Sequence, residues 1–354
     1  MFPREYRGVA VVVGLFLAVQ LGALALVPEF TESGYQAVDD PENPTNSLLY
    51  IAAIVVMTGL MLAAFRYDLD QAIRLLIVGV SAWLSWYVFS AVVPPLAAVA
   101  PAVAVGAALL VHPEWYVIDA AGVLMGAGAA GLFGISFGPL PALVLLSLLA
   151  VYDAISVYGT EHMLSLAEGV MDLNIPVVLV IPLSLSYSLL GEQSEPEGDA
   201  ADDGAGDDGA GDDGAGDDTA DRDAGVGPEA DPKADRDDSA DGGADVSEPT
   251  DIEDRDAFFI GLGDAVIPTV LVASAATFSP AANLSVPLIG INLPALLAMG
   301  GSLAGLLVLM GWVVKGRPHA GLPLLNGGAI GGYLIGSVAA GVPLIEAVGL
   351  AGVV

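Results

Sequence analysis

Two acidic residues, Asp153 and Asp264, lie well inside long apolar stretches of the 354-residue chain. A charged side chain at the centre of a membrane helix costs about 2.5–3.5 kcal/mol on insertion scales, so a chain that keeps two has a use for them. The other acids near apolar stretches, Glu29, Asp119, Glu161 and Glu346, sit near segment ends, within reach of water. Asp68 and Asp70 fall in a loop. Two carboxylates a few ångströms apart share one proton rather than both ionising. The ionised partner can then draw a proton from water, while the other protonates the carbonyl oxygen of a peptide bond. Water adds directly, without a covalent intermediate, and this chemistry needs no metal or cofactor. Intramembrane acids also mark ion pathways, so a proton- or ion-coupled transporter using the same two aspartates is the alternative.

The neighbouring residues suit a reactive carboxylate. Asp264 ends the string Gly261-Leu262-Gly263-Asp264. Glycines three and one residues before it leave room for another backbone to approach. Asp153 follows Tyr152, whose hydroxyl could hydrogen-bond locally. Glycines in membrane helices are also common packing notches. The steps formed by Gly327, Gly328, Gly331, Gly332 and Gly336 are read as internal packing rather than a partner surface.

Positioning these acids requires an all-α integral membrane fold. Hydrophobic residues make up 55% of the chain and the mean hydropathy is +0.70, above the usual apolar share of a soluble domain. Nine segments, near 8–28, 48–66, 74–93, 95–112, 117–134, 141–160, 257–278, 292–314 and 322–340, approach the roughly 20 residues that span a bilayer. Pro94-Pro95 separates the third from the fourth. With the N-terminus cytoplasmic and the C-terminus extracellular, all 10 Lys and Arg residues fall on the inner side, as the positive-inside rule requires. Asp153 and Asp264 then lie at matched depth, roughly 10 Å from the cytoplasmic boundary at 1.5 Å per residue. The first segment, with Arg4 and Arg7 before it and Ala23-Leu24-Ala25 near its end, also resembles a secretory signal peptide. Its apolar run of about 20 residues exceeds the usual h-region of about 7–15. Ile175–Leu190 is apolar but short and broken by Pro176 and Pro182, and its β-branched residues favour a strand. Such a strand must be enclosed by protein or lie at the surface, because lipid cannot satisfy its edge.

Three parts follow: helices one to six with the short apolar segment (1–190), an acidic linker (191–256) and helices seven to nine (257–354). The formal charge is −32, from 42 acids and 10 bases. Of these, 26 acids and 4 bases lie between Glu192 and Asp256. Three tandem Gly-Ala-Gly-Asp-Asp units run from Gly204 to Asp218, and so little apolar bulk predicts a disordered loop. The charge excludes nucleic acid as a partner and suits a salty cytoplasm, as in an extreme halophile. The absence of cysteine excludes disulfides, thiolate metal sites and a cysteine nucleophile. The three histidines, His112, His162 and His319, show no metal-ligand spacing.

Tyr152-Asp153 late in the sixth segment, a long hydrophilic loop and Gly261-Leu262-Gly263-Asp264 in the seventh together resemble the presenilin and signal-peptide-peptidase family, and its archaeal members most of all. The resemblance covers the whole nine-segment plan. It implies an intramembrane aspartyl protease of the cell membrane with Asp153 and Asp264 as its catalytic pair. Transmembrane proteins within the lipid bilayer are its implied substrates. The family's Pro-Ala-Leu motif, which opens the ninth helix near the active site, corresponds to Pro323-Leu324-Leu325, with Leu324 in place of alanine. The literal strings Pro141–Leu143 and Pro294–Leu296 open the sixth and eighth segments and are read as coincidental. The resemblance further implies that Ile175–Leu190 and the chain just before Gly261 form strands that pair with an unwound substrate.

Overall fold

A computed structural model describes residues 4–67, 69–159, 178–183, 187–189, 257–284, 286, 289–314 and 320–350. Among the described residues, nine long helices occupy the nine expected places, in order. They are α1 (Arg4–Glu32), α2 (Thr45–Arg66), α3 (Asp70–Ser90), α4 (Pro95–Val111), α5 (Trp115–Ser136), α6 (Pro139–Gly159), α7 (Leu262–Phe278), α8 (Leu293–Val313) and α9 (Leu322–Ala339). A short α10 (Leu344–Ala347) follows. Among the described residues, seven helices are long and apolar enough to cross a membrane. The other two, α4 and α7, have 17 residues each, the lower limit for a span. The acidic stretch lies outside the described residues. So do Lys315, Arg317, His162 and His319. The described residues before and after that stretch form one compact unit, so helices from both sides of it share a core.

The helices begin where backbone chemistry allows. Pro94 is extended (φ −53°, ψ 143°), and Pro95 opens α4, where its missing N–H removes no helical bond. The Asn292 side chain caps α8 by accepting the Ala295 N–H at 2.9 Å. Pro323 lies in the first turn of α9. The first helix is part of the core: Val12, Phe16, Val19 and Leu24 are buried against residues of other elements. By contrast α2 buries only Ser47, and Leu48, Leu49, Val56 and Leu60 are exposed. In a bilayer that apolar surface meets lipid.

The tightest packing joins α8 to α9. A Cβ on Gly328 or Gly301 would collide with the other's backbone, and one on Gly332 with the Leu297 carbonyl. A Cβ on Gly336 would lie 2.7 Å from Pro294 Cα. Gly328, Gly332 and Gly336 are therefore internal notches, whereas Gly327 and Gly331 face open space.

Among the described residues, two strand pairs break the helical pattern. β1 (Val178–Pro182) and β2 (Ala257–Gly261) pair antiparallel, with Val178 opposite Gly261 and Pro182 opposite Ala257. Of the strand expected within 175–190, Val178–Pro182 is strand, whereas the other described residues there, 183 and 187–189, are not. The seventh helix, expected from 257, instead begins at Leu262, because Ala257–Gly261 is β2. Phe258, Phe259 and Ile260 are apolar and also favour strands, so hydropathy alone could not separate the two states. Leu179, Ile181, Phe258 and Ile260 turn to a core that includes Val12 and Phe16 of α1 and Leu306 of α8. A two-residue pair, β3 (Asn283–Leu284) and β4 (Ile291–Asn292), lies between α7 and α8.

Candidate active site

Asp153 stands six residues before Gly159, the last residue of α6, and is 6% exposed. Its Oδ2 accepts the Leu322 N–H at 3.0 Å. Leu322 is the first residue of α9, so its N–H has no acceptor within the helix. The carboxylate supplies one. Beside it, Tyr158 accepts the Ala320 N–H at 3.4 Å, a second tie between α6 and the start of α9. Tyr152 is 48% exposed and makes no hydrogen bond among the described residues. The tyrosine that bonds locally is Tyr158.

Asp264 is the third residue of α7, half-buried in the first turn directly after β2. The matched-depth argument is corrected here: five residues before Leu262 are strand, so depth cannot be counted along one helix. Proximity comes from a shared neighbour. A Cβ on Gly321 would lie 3.3 Å from Asp264 Oδ2 and 3.6 Å from its Cγ. Both carboxylates thus lie beside the single backbone step Gly321-Leu322.

The glycines of Gly261-Leu262-Gly263-Asp264 divide their work. A Cβ on Gly261 would be 3.8 Å from Asp264 Oδ2, whereas one on Gly263 would reach only Ile267, at 3.9 Å. Neither meets a foreign backbone; the close backbone belongs to Gly321. Leu262 is buried in the central core. Four residues after Asp264, Pro268 has no N–H to offer the Asp264 carbonyl, so the first turn of α7 lacks one helical bond.

Pro323, Leu324 and Leu325 form the first turn of α9, next to both carboxylates. The Leu324 and Leu325 N–H groups each donate to the Gly321 carbonyl at 3.2 Å, which closes that turn. Leu325 is fully buried, and Leu324 packs its carbonyl against Gly305 of α8. The two literal Pro-Ala-Leu strings are elsewhere. Pro141 is in the first turn of α6, about 18 Å along the helix from Asp153. Pro294 packs on Gly336, about 21 Å along α9 from Leu322.

Sequence reasoning missed Gly321, Leu322 and Tyr158 as site neighbours, and it misplaced Asp119. That residue was expected to reach water. Instead it is 6% exposed on α5, where its Oδ1 accepts the Val180 N–H of β1 at 2.8 Å.

The sequence model described as "Signal-peptide peptidase, presenilin aspartyl protease" matches residues 13–342. A comparison with curated proteins finds no match. Two solved structures are similar over most of their length, both described as a presenilin family intramembrane aspartate protease. The form in space group C222 is 30% identical with a TM-score of 0.58, covering 94% of this chain and 99% of that one. The form in space group P2 is also 30% identical, with a TM-score of 0.55 and coverage of 92% and 96%. The chain is a multi-pass membrane protein that belongs to the signal-peptide peptidase and presenilin family of aspartyl proteases.

Proposed function

We propose that Asp153 and Asp264 are the catalytic pair of an intramembrane endopeptidase that hydrolyses peptide bonds within transmembrane segments. The observation that carries this reading is their convergence on Gly321-Leu322. One carboxylate is ionised and the other protonated. The ionised one removes a proton from water as its oxygen adds to the carbonyl carbon, and the protonated one gives its proton to the carbonyl oxygen. The resulting gem-diol collapses as the first carboxyl, now protonated, gives its proton to the amide nitrogen, the second takes a proton from a gem-diol hydroxyl, and the C–N bond breaks. Both carboxylates then regain their starting states. Pro323-Leu324-Leu325 holds the start of α9 in place, and the small Gly261 and Gly321 keep space beside Asp264.

A helical substrate hides its peptide bonds, so it must unwind. Strand addition to β2 supplies the unwound form. In an antiparallel pair, N–H groups alternate between the partner strand and the outside. Val180 donates outward to Asp119, so Leu179 and Ile181 serve the ladder, and Pro182 loses nothing by lacking an N–H. Opposite Val180, Phe259 must point its backbone away from β1. Its side chain is exposed, and no described residue pairs with that edge. The open edge leads straight into Gly261 and Asp264.

The N-terminus lies in the cytoplasm on this reading, which suits substrates whose own N-termini face outside. Ion transport by the same two acids has no comparable support from the fold. The test is scission of a single-span reporter in liposomes at high salt, with the new termini identified by mass spectrometry. Termini inside the span are expected; termini only in the reporter's soluble tails overturn the reading.

A further inference from the structure

Two buried carboxylates outside the catalytic pair face the segment that carries β1. Both come from the start of α5. Asp119 accepts the Val180 N–H at 2.8 Å. Glu114, 7% exposed, accepts the Ser188 hydroxyl at 2.7 Å and the Leu189 N–H at 3.3 Å. Hydrolysis at Asp153 and Asp264 uses neither. Burying an acid is costly unless it is hydrogen-bonded, and here the partners are the backbone of β1 and of the chain just beyond it. The side chains of Val180 and Leu189 pack in the same apolar cluster, with Ile118 and Ala121 of α5.

β1 therefore has two different sides. One is paired to β2 through Leu179 and Ile181. The other is bound to α5 by a carboxylate, which leaves no outward Val180 N–H for a substrate. In an antiparallel ladder a one-residue slip turns every side chain to the opposite face. The Asp119 bond fixes one backbone position of β1 against a rigid helix. The ladder passes that position to β2, and β2 continues without a break into the turn bearing Asp264.

We infer that Asp119 is a positioning residue: it anchors β1 to α5, leaves β2 as the open edge, and so selects which substrate peptide bond reaches the two aspartates. This rests on the strand-addition reading above.

The experiment compares wild type with Asp119→Leu, Asp119→Asn and Val180→Pro on the single-span reporter. Scission sites are mapped by mass spectrometry, KM and kcat are measured separately, and rates are normalised to folded enzyme. Val180→Pro removes the donor of the same bond without touching the β1–β2 ladder, so it gives an independent variant if Asp119→Leu does not fold. Asp119→Leu and Val180→Pro are expected to redistribute scission among neighbouring bonds and raise KM roughly tenfold, the scale of one hydrogen bond to a charged group. Asp119→Asn keeps an acceptor oxygen and is expected to restore the wild-type sites. A purely structural role would lower the yield of folded enzyme and leave KM and the scission sites unchanged. That outcome overturns the assignment, and so does an Asn variant that behaves like Leu. Phe259→Pro, run alongside, separates the two ideas. Wild-type cleavage by Phe259→Pro refutes strand addition itself. Lost cleavage there, with unchanged KM and sites in both Asp119→Leu and Val180→Pro, refutes only the role of Asp119.

Discussion

A side chain at position 321 would begin 3.3 Å from the Asp264 carboxylate and 3.3 Å from Leu309. Both contacts are tighter than ordinary van der Waals spacing, so an added side chain requires one of them to shift. Gly321→Val is therefore expected to lower kcat roughly 100-fold, the cost of displacing a reacting group by about 1 Å, while the melting temperature changes little. Wild-type kcat in this variant would show that Asp264 does not work against this backbone. The two aspartates were legible in the sequence because charge inside apolar segments is costly and stands out. Gly321 and Leu322 were not. A backbone N–H has no residue-type signature, and nothing before folding says which helix start will face a carboxylate. Asp119 was misread for a related reason. Its distance from a helix end suggested water, but β1 covers it.

Among the elements, the junction of β2 with α7 matters most. It turns a strand edge into the first turn of the helix that bears Asp264 within one glycine. Phe259→Pro removes the N–H that faces away from β1 and spares the ladder bonds of Phe258 and Ile260. Cleavage of a membrane reporter should fall by at least about tenfold, the scale of a lost backbone hydrogen bond with its desolvation penalty. Thermal stability should hold, and undiminished cleavage would remove β2 from the mechanism. The α8–α9 contact predicts the reverse pattern. Gly328→Val pushes a side chain into the Gly301 backbone and should cost about 1–3 kcal/mol, seen as a lower melting temperature in detergent. Equal stability would mean that the helices part freely. Hydropathy placed all nine helices, yet it put the start of α7 five residues early. An apolar run rich in aromatic residues reads alike as helix and as enclosed strand, and tertiary pairing with β1 decides between them.

For the whole molecule, chain order and spatial order differ. Asp153 precedes the acidic stretch and Asp264 follows it, yet both belong to one compact unit and both lie beside Gly321-Leu322, where α9 begins. The site is thus assembled from three helices and cannot form from either half alone. Two carboxylates that share one proton also act as a single device, so their removal should not be additive. The most direct measurement is the rate of scission within the span of a single-span reporter, in liposomes at high salt. It is made for wild type, Asp153→Asn, Asp264→Asn and the double variant, with folding checked by melting temperature. Each single variant is expected to lose about 100-fold or more, the range of a general acid or base, and the double variant to fall no further. A folded single variant that cuts at the wild-type rate would contradict the two-aspartate mechanism.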